Sequence, residues 1–211
     1  MKVELDLTKT ILLAGLAFWI SLIAFNNATD PGTNIDLLGR MLTMEAIKEN
    51  PTMGNGLEWR AWPQSLAAPL LVMVIILQVA IAALLWRAAI LFTQHLFRAQ
   101  AAEIPTRQIR AANLGLAAFL SLWFFFLCGG LWFGYWMHLG PVQGVHFTLL
   151  IVSVLTLLFI NYVPQPFPAA NLTGIGVTPE REREIMVPTN GVYVDNGVHA
   201  DNGVHAERVT Q

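Results

Sequence analysis

Residues 66–92 read LAAPLLVMVIILQVAIAALLWRAAILF, a run of 27 with one charge, Arg87, and one amide, Gln78. A hydrocarbon core is crossed by roughly 20 apolar residues in a helix. No water at that depth satisfies peptide groups, so the backbone must bond within itself. Strict alternation of apolar and polar residues, the mark of a barrel strand, is absent, and the segment is read as a transmembrane α-helix. Three further stretches share this character, at about 10–26, 114–137 and 145–163. The expected fold class is an all-α integral membrane protein, a four-transmembrane-helix bundle.

Composition agrees. The chain has 211 residues, 55% of them hydrophobic and 12% charged, with a mean hydropathy of +0.54, whereas about a quarter of an ordinary soluble domain is charged. The net charge of −2 argues against capture of polyanions, so no nucleic-acid partner is expected. A single cysteine, Cys128, excludes an intramolecular disulfide framework and any Cys-rich zinc site. Outside the four stretches the charge density returns to about the soluble level; two materials are mixed in one chain.

The first stretch follows Lys2 and Lys9 and is the shortest, which raises the question of a signal peptide. Phe25-Asn26-Asn27 offers no small-x-small cleavage site, so a retained helix is expected. With four spans, Lys2, Lys9, Arg98, Arg107, Arg110, Arg181, Arg183 and Arg208 share one face, against Arg40, Lys48 and Arg60 on the other. The positive-inside rule then puts both termini in the cytoplasm. Trp59, Trp62, Trp132, Tyr135 and Trp136 fall at the outer headgroup level, and Trp86 and Tyr162 at the inner one.

Two polar segments flank the spans. The outer loop, 27–65, opens with turn residues, Asp30-Pro31-Gly32 reading as a tight turn. In LLGRMLTMEAIKE (37–49), Leu37, Leu38, Met41, Leu42, Met44 and Ile47 fall on one side of an amphipathic outer helix. The tail, 164–211, begins with PQPFP, whose prolines hold it extended. It ends in three related hexads, TNGVYV (189–194), DNGVHA (195–200) and DNGVHA (201–206). Three hexads are too few to bury a solenoid core, so an extended cytoplasmic tail is expected, with Tyr193, His199 and His205 as partner contacts.

Within the spans few groups carry chemistry. Gln78 should bond a partner such as Ser21, Ser121, Ser153 or Thr156, because an unpaired amide in hydrocarbon costs several kcal/mol. Arg87 is close enough to its helix end to snorkel to solvent or lipid phosphate. Gly130-x-x-x-Gly134 has the small-residue spacing of a close helix contact. His138 and His146 flank a short outer turn and are the candidate ligands for haem or a pigment; the expectation is no cofactor and no metal. No carboxylate falls inside the four stretches, which removes the usual proton-relay candidates. Neither a Gly-rich phosphate loop nor His-Glu-x-x-His, Gly-x-Ser-x-Gly or Cys-x-x-Cys occurs, and no enzyme is expected.

Phe25-Asn26-Asn27, Thr29-Asp30-Pro31-Gly32-Thr33-Asn34, Met41-Leu42-Thr43-Met44-Glu45 and Glu58-Trp59-Arg60-Ala61, set between two long spans, resemble a bacterial family of predicted small integral membrane proteins. This is the domain-of-unknown-function family 2165. The likeness covers 1–163 and leaves out the tail. It implies a four-helix inner-membrane protein and supplies no activity.

The function expected is that of a non-catalytic accessory or structural subunit of a larger membrane complex, whether respiratory, photosynthetic or another oxidoreductase. Other membrane subunits and the lipid bilayer would be its partners, met through Trp59, Arg60, Trp132 and Trp136. The alternatives are a small-molecule or lipid-handling carrier built around Gln78, and haem or pigment binding through His138 and His146.

Overall fold

The computed structural model describes residues 2–50, 52–98 and 104–163. Six α-helices run in the order α1 (Lys2–Thr29), α2 (Pro31–Leu42), α3 (Glu45–Glu49), α4 (Ala67–Arg98), α5 (Thr106–Trp132) and α6 (Gly140–Asn161). Short 3-10 turns occupy Glu58–Arg60, Gln64–Leu66 and Tyr135–Met137. Among the described residues the architecture is all-helical, and α1, α4, α5 and α6 are each long and apolar enough to cross a membrane.

The four long helices alternate in direction. α1 packs along α4, α4 along α5, and α5 along α6. Their shared core holds Leu13, Ala17 and Ile20 of α1, Leu85 and Phe92 of α4, Leu116 and Phe119 of α5, and Leu149 and Ile160 of α6. In lipid there is little hydrophobic gain from joining helices, so close backbone approach and buried polar bonds carry much of the association. The close approach is at Gly115, where an added Cβ would lie 3.0 Å from Leu85 Cδ2 and 3.3 Å from the Leu85 amide nitrogen. Ala88, Ala111 and Ala112, all buried, flank the same seam.

Polar bonds fasten both ends. At the proximal end, where α1 begins and α6 finishes, the buried Lys9 Nζ donates to the Ile160 and Tyr162 carbonyls, 3.0 Å each. These are orphan acceptors at a helix C-terminus, where a cation also complements the macrodipole. His95 Nε2 and Asp6 Oδ2 lie 3.9 Å apart beside it, and Asn113 and Asn161 exchange reciprocal amide bonds of 3.0 and 2.8 Å. Asp6 is thus on a membrane-crossing helix, because α1 starts well before the expected residue 10. Gln78 is 1% exposed and its Oε1 accepts from Asn27 Nδ2 at 2.9 Å. None of the four expected hydroxyls supplies that bond; Asn27 does, because α1 continues to Thr29.

The distal end carries a second core, Leu42, Met44, Ile47, Ala67 and Phe133. Its helices depart from the sequence expectation in two places. Asp30 is no part of a tight turn: its side chain accepts from the Thr33 amide and caps α2, with Pro31 in the first turn, where a missing N–H costs nothing. The single amphipathic helix over 37–49 is broken at Met44, whose φ of 55° is left-handed. The break lets Met44 and Ile47 join Leu42 in one cluster, and the Trp62 amide then donates to the Leu42 carbonyl at 2.8 Å. Arg40 bridges the break, 3.3 Å from Glu45 and 3.9 Å from Glu49.

Candidate functional site

The third long helix stops at Trp132, five residues short of the expected boundary. Phe133 caps it, and Gly134, at φ 66°, turns the chain back toward the bundle. A positive φ is inexpensive only for glycine. This reversal brings Tyr135 over the last turns of α5, where its hydroxyl lies 3.1 Å from both the Phe126 carbonyl and His146 Nδ1. Gly130 makes room for it: a Cβ there would be 2.9 Å from Tyr135 Cζ and would collide with Gln143 Oε1. Gly130 and Gly134 therefore do not form the expected helix-to-helix seam. One seats a tyrosine, and the other makes the turn that delivers it.

Tyr135 is 6% exposed, and burial pushes its phenol up to about 12, so it is a neutral hydrogen-bond donor at physiological pH. The phenol has one proton. Both contacts are satisfied when Tyr135 donates to the Phe126 carbonyl and His146 Nδ1–H donates to Tyr135, which leaves His146 Nε2 as an acceptor. The imidazole stacks on Phe126 and Trp123, with centroids 4.9 and 5.9 Å away. His146 is committed to this arrangement. His138 closes the Tyr135–Met137 turn, its Nε2 buried with no hydrogen-bond partner among the described residues, as are Gln143 Oε1 and Trp123 Nε1.

On the surface beside this cluster, Trp59 and Trp132 meet edge to face at 6.0 Å. The Arg60 guanidinium lies over both rings, 5.3 and 5.5 Å from their centroids. Trp62 abuts Phe133 at 5.4 Å, tying the assembly to the second core. Trp59 remains 71% exposed and Trp132 45%. Residues 58–60 and 132 come from separate parts of the chain and meet because the second core holds the loop against the end of α5. Trp136 is exposed nearby and has no ring contact among the described residues. Tyr193, His199 and His205 lie outside the described residues.

Among the described residues no three His, Cys, Asp or Glu side chains are grouped to hold a metal ion. Sequence reasoning missed the bond from Tyr135 to His146, the Gly115 seam and the buried position of Lys9. The run Ala111-Ala112-Asn113-Leu114-Gly115 carried the second of these as a small-xxx-small spacing.

No curated protein and no solved structure matches the chain. A family model described as "predicted small integral membrane protein (DUF2165)" matches residues 5–163, which takes in both cores and all of the four long helices but the first three residues of α1. By that match the chain belongs to this family of small integral membrane proteins.

Proposed function

We propose that the chain is a non-catalytic accessory subunit of a larger membrane complex, joined to its neighbours at the distal end. The observation that carries this reading is the Trp59–Arg60–Trp132 assembly, in which an arginine is held between two exposed tryptophans on a packed base. Trp and Arg are the residues most enriched at interface hot spots, and pre-ordering them lowers the entropy lost on docking. The long helices add contact surface, since only 22% of the most apolar stretch of α6 is buried. The excess of Lys and Arg near the proximal end supports cytoplasmic termini, and the resemblance to a bacterial family supports an inner membrane.

Purification in mild detergent tests the proposal. The native chain should come with stoichiometric partners, and Trp59→Ala with Trp132→Ala should reduce their recovery by at least about tenfold, the scale of losing a hot spot. A clean monomer or homodimer from native membranes would overturn it. The carrier reading gains no support at Gln78, whose amide is already engaged by Asn27. The haem or pigment reading rests on His138 and His146, and a featureless visible spectrum of the purified protein would remove it.

A further inference from the structure

Arg87 of α4 and Arg107 and Arg110 of α5 line one cleft of about 500 Å³, together with Thr106, Ala111 and Leu114. All three arginines are exposed. The ion pairs found among the described residues involve Arg40 and His95 and none of these three. From Arg87 to Leu114 the sequence supplies one acidic residue, Glu103, against four arginines. The start of α5 adds to the positive field: among the described residues it has no side-chain cap, and its first turn holds no acidic residue, while the free N–H groups and macrodipole of a helix start favour anions.

The cleft lies level with the end of α6. Leu85 contacts Gly115 across the α4–α5 seam, which sets Arg87 near Asn113 and its amide partner Asn161, and Trp86 beside it is of the type that settles at the membrane interface. One wall is guanidinium and hydroxyl. The other is the half-exposed Leu114, on the apolar surface of α5, beside the buried Ala111. Three like charges drawn together are offset by an anion, and guanidinium groups match phosphate oxygens with paired donors. A free phosphate would use only the polar wall, whereas a phospholipid uses both.

We propose that Arg87, Arg107 and Arg110 bind the phosphate of an anionic phospholipid headgroup, with an acyl chain laid along Leu114. Basic pockets between membrane helices take such headgroups, and each arginine near the surface contributes about fivefold in affinity, about 100-fold for three.

The full chain is to be examined by native mass spectrometry from neutral detergent, with added phosphatidylglycerol or phosphatidylcholine. Saturable retention of phosphatidylglycerol over phosphatidylcholine is expected, together with its loss in the Arg87→Gln, Arg107→Gln, Arg110→Gln variant at unchanged helical circular dichroism. Arg40→Gln with Lys48→Gln, at the other end of the bundle, should keep the native preference. Equal retention of the two lipids, or undiminished phosphatidylglycerol on the triple variant, would overturn the proposal. Displacement of the lipid by an equal concentration of inorganic phosphate would also overturn it and assign the cleft to the free anion.

Discussion

The Tyr135 hydroxyl and His146 Nδ1 lie 3.1 Å apart, joining the reversal after α5 to the first turns of α6. The bond spans a sharp corner and is shielded by stacked rings, so the distal corner holds one conformation around a phenol whose ionisation is suppressed.

Titration of Tyr135 checks this directly. In the folded protein its phenol is pushed up to about 12, against about 10 for an unperturbed tyrosine. The contribution of the neutral phenol to stability is complete below pH 10 and is lost as the pH rises toward 12, because the unfolded chain gives up its proton first. The difference in absorbance at 295 nm between the native protein and Tyr135→Phe should show one tyrosinate transition near 12. A transition near 10 would contradict the burial.

Gly115 should resist replacement by a large residue. Its substitution by Leu forces side-chain atoms onto the backbone of Leu84 and Leu85 and should cost about 1–3 kcal/mol through overpacking. Gly129, which has open space where a Cβ would stand, should accept Ala with no loss and up to about 1 kcal/mol of gain from helix propensity. Unfolding in a denaturing detergent titration separates the two.

The Asn27 to Gln78 bond predicts a characteristic double-mutant cycle. Asn27→Leu strands a buried carbonyl and should cost about 1–3 kcal/mol. Replacing both residues with Leu should cost less than the sum of the single changes, with a coupling of about 0.6–2 kcal/mol. Strict additivity in the same unfolding assay would show that the two amides do not interact.

Lys9→Met should lower the thermal unfolding midpoint, since it removes two charge-assisted bonds to the end of α6, each bond to a charged group contributing about 1.5–3 kcal/mol. Lys9→Arg keeps the charge and should recover part of the loss. An unchanged midpoint for the methionine variant would argue against the clamp.

The spans were legible because a run such as residues 66–92 leaves a backbone in lipid one solution. Their ends were less so. Asp30-Pro31-Gly32 suits a tight turn and a helix start equally, since a short acceptor side chain followed by proline serves both. Gly130 and Gly134 have the spacing of a helix seam, but the spacing carries meaning only if the helix continues past Trp132, and the left-handed φ of Gly134 ends that continuity. The partner of Gln78 lies beyond the apolar run of α1, because Asn27 is polar enough to read as loop while the helix continues to Thr29. At the distal surface Trp59, Arg60 and Trp132 were each legible as interfacial residues. Their meeting was not, because it depends on a left-handed Met44 that nothing in local sequence demands.

Lys9 and the carbonyl it bonds at Ile160 are separated by 151 positions, so the charge near the start of the chain waits for almost the whole membrane domain before it is satisfied. A ribosome releases the first helix long before the last, and in that interval the ammonium must stay with water or lipid phosphate at the surface. Seating of α1 is therefore completed only when α6 arrives. The first helix made is the last to be locked, and a chain cut short before α6 carries an unmet cation as a chemical mark of its incompleteness.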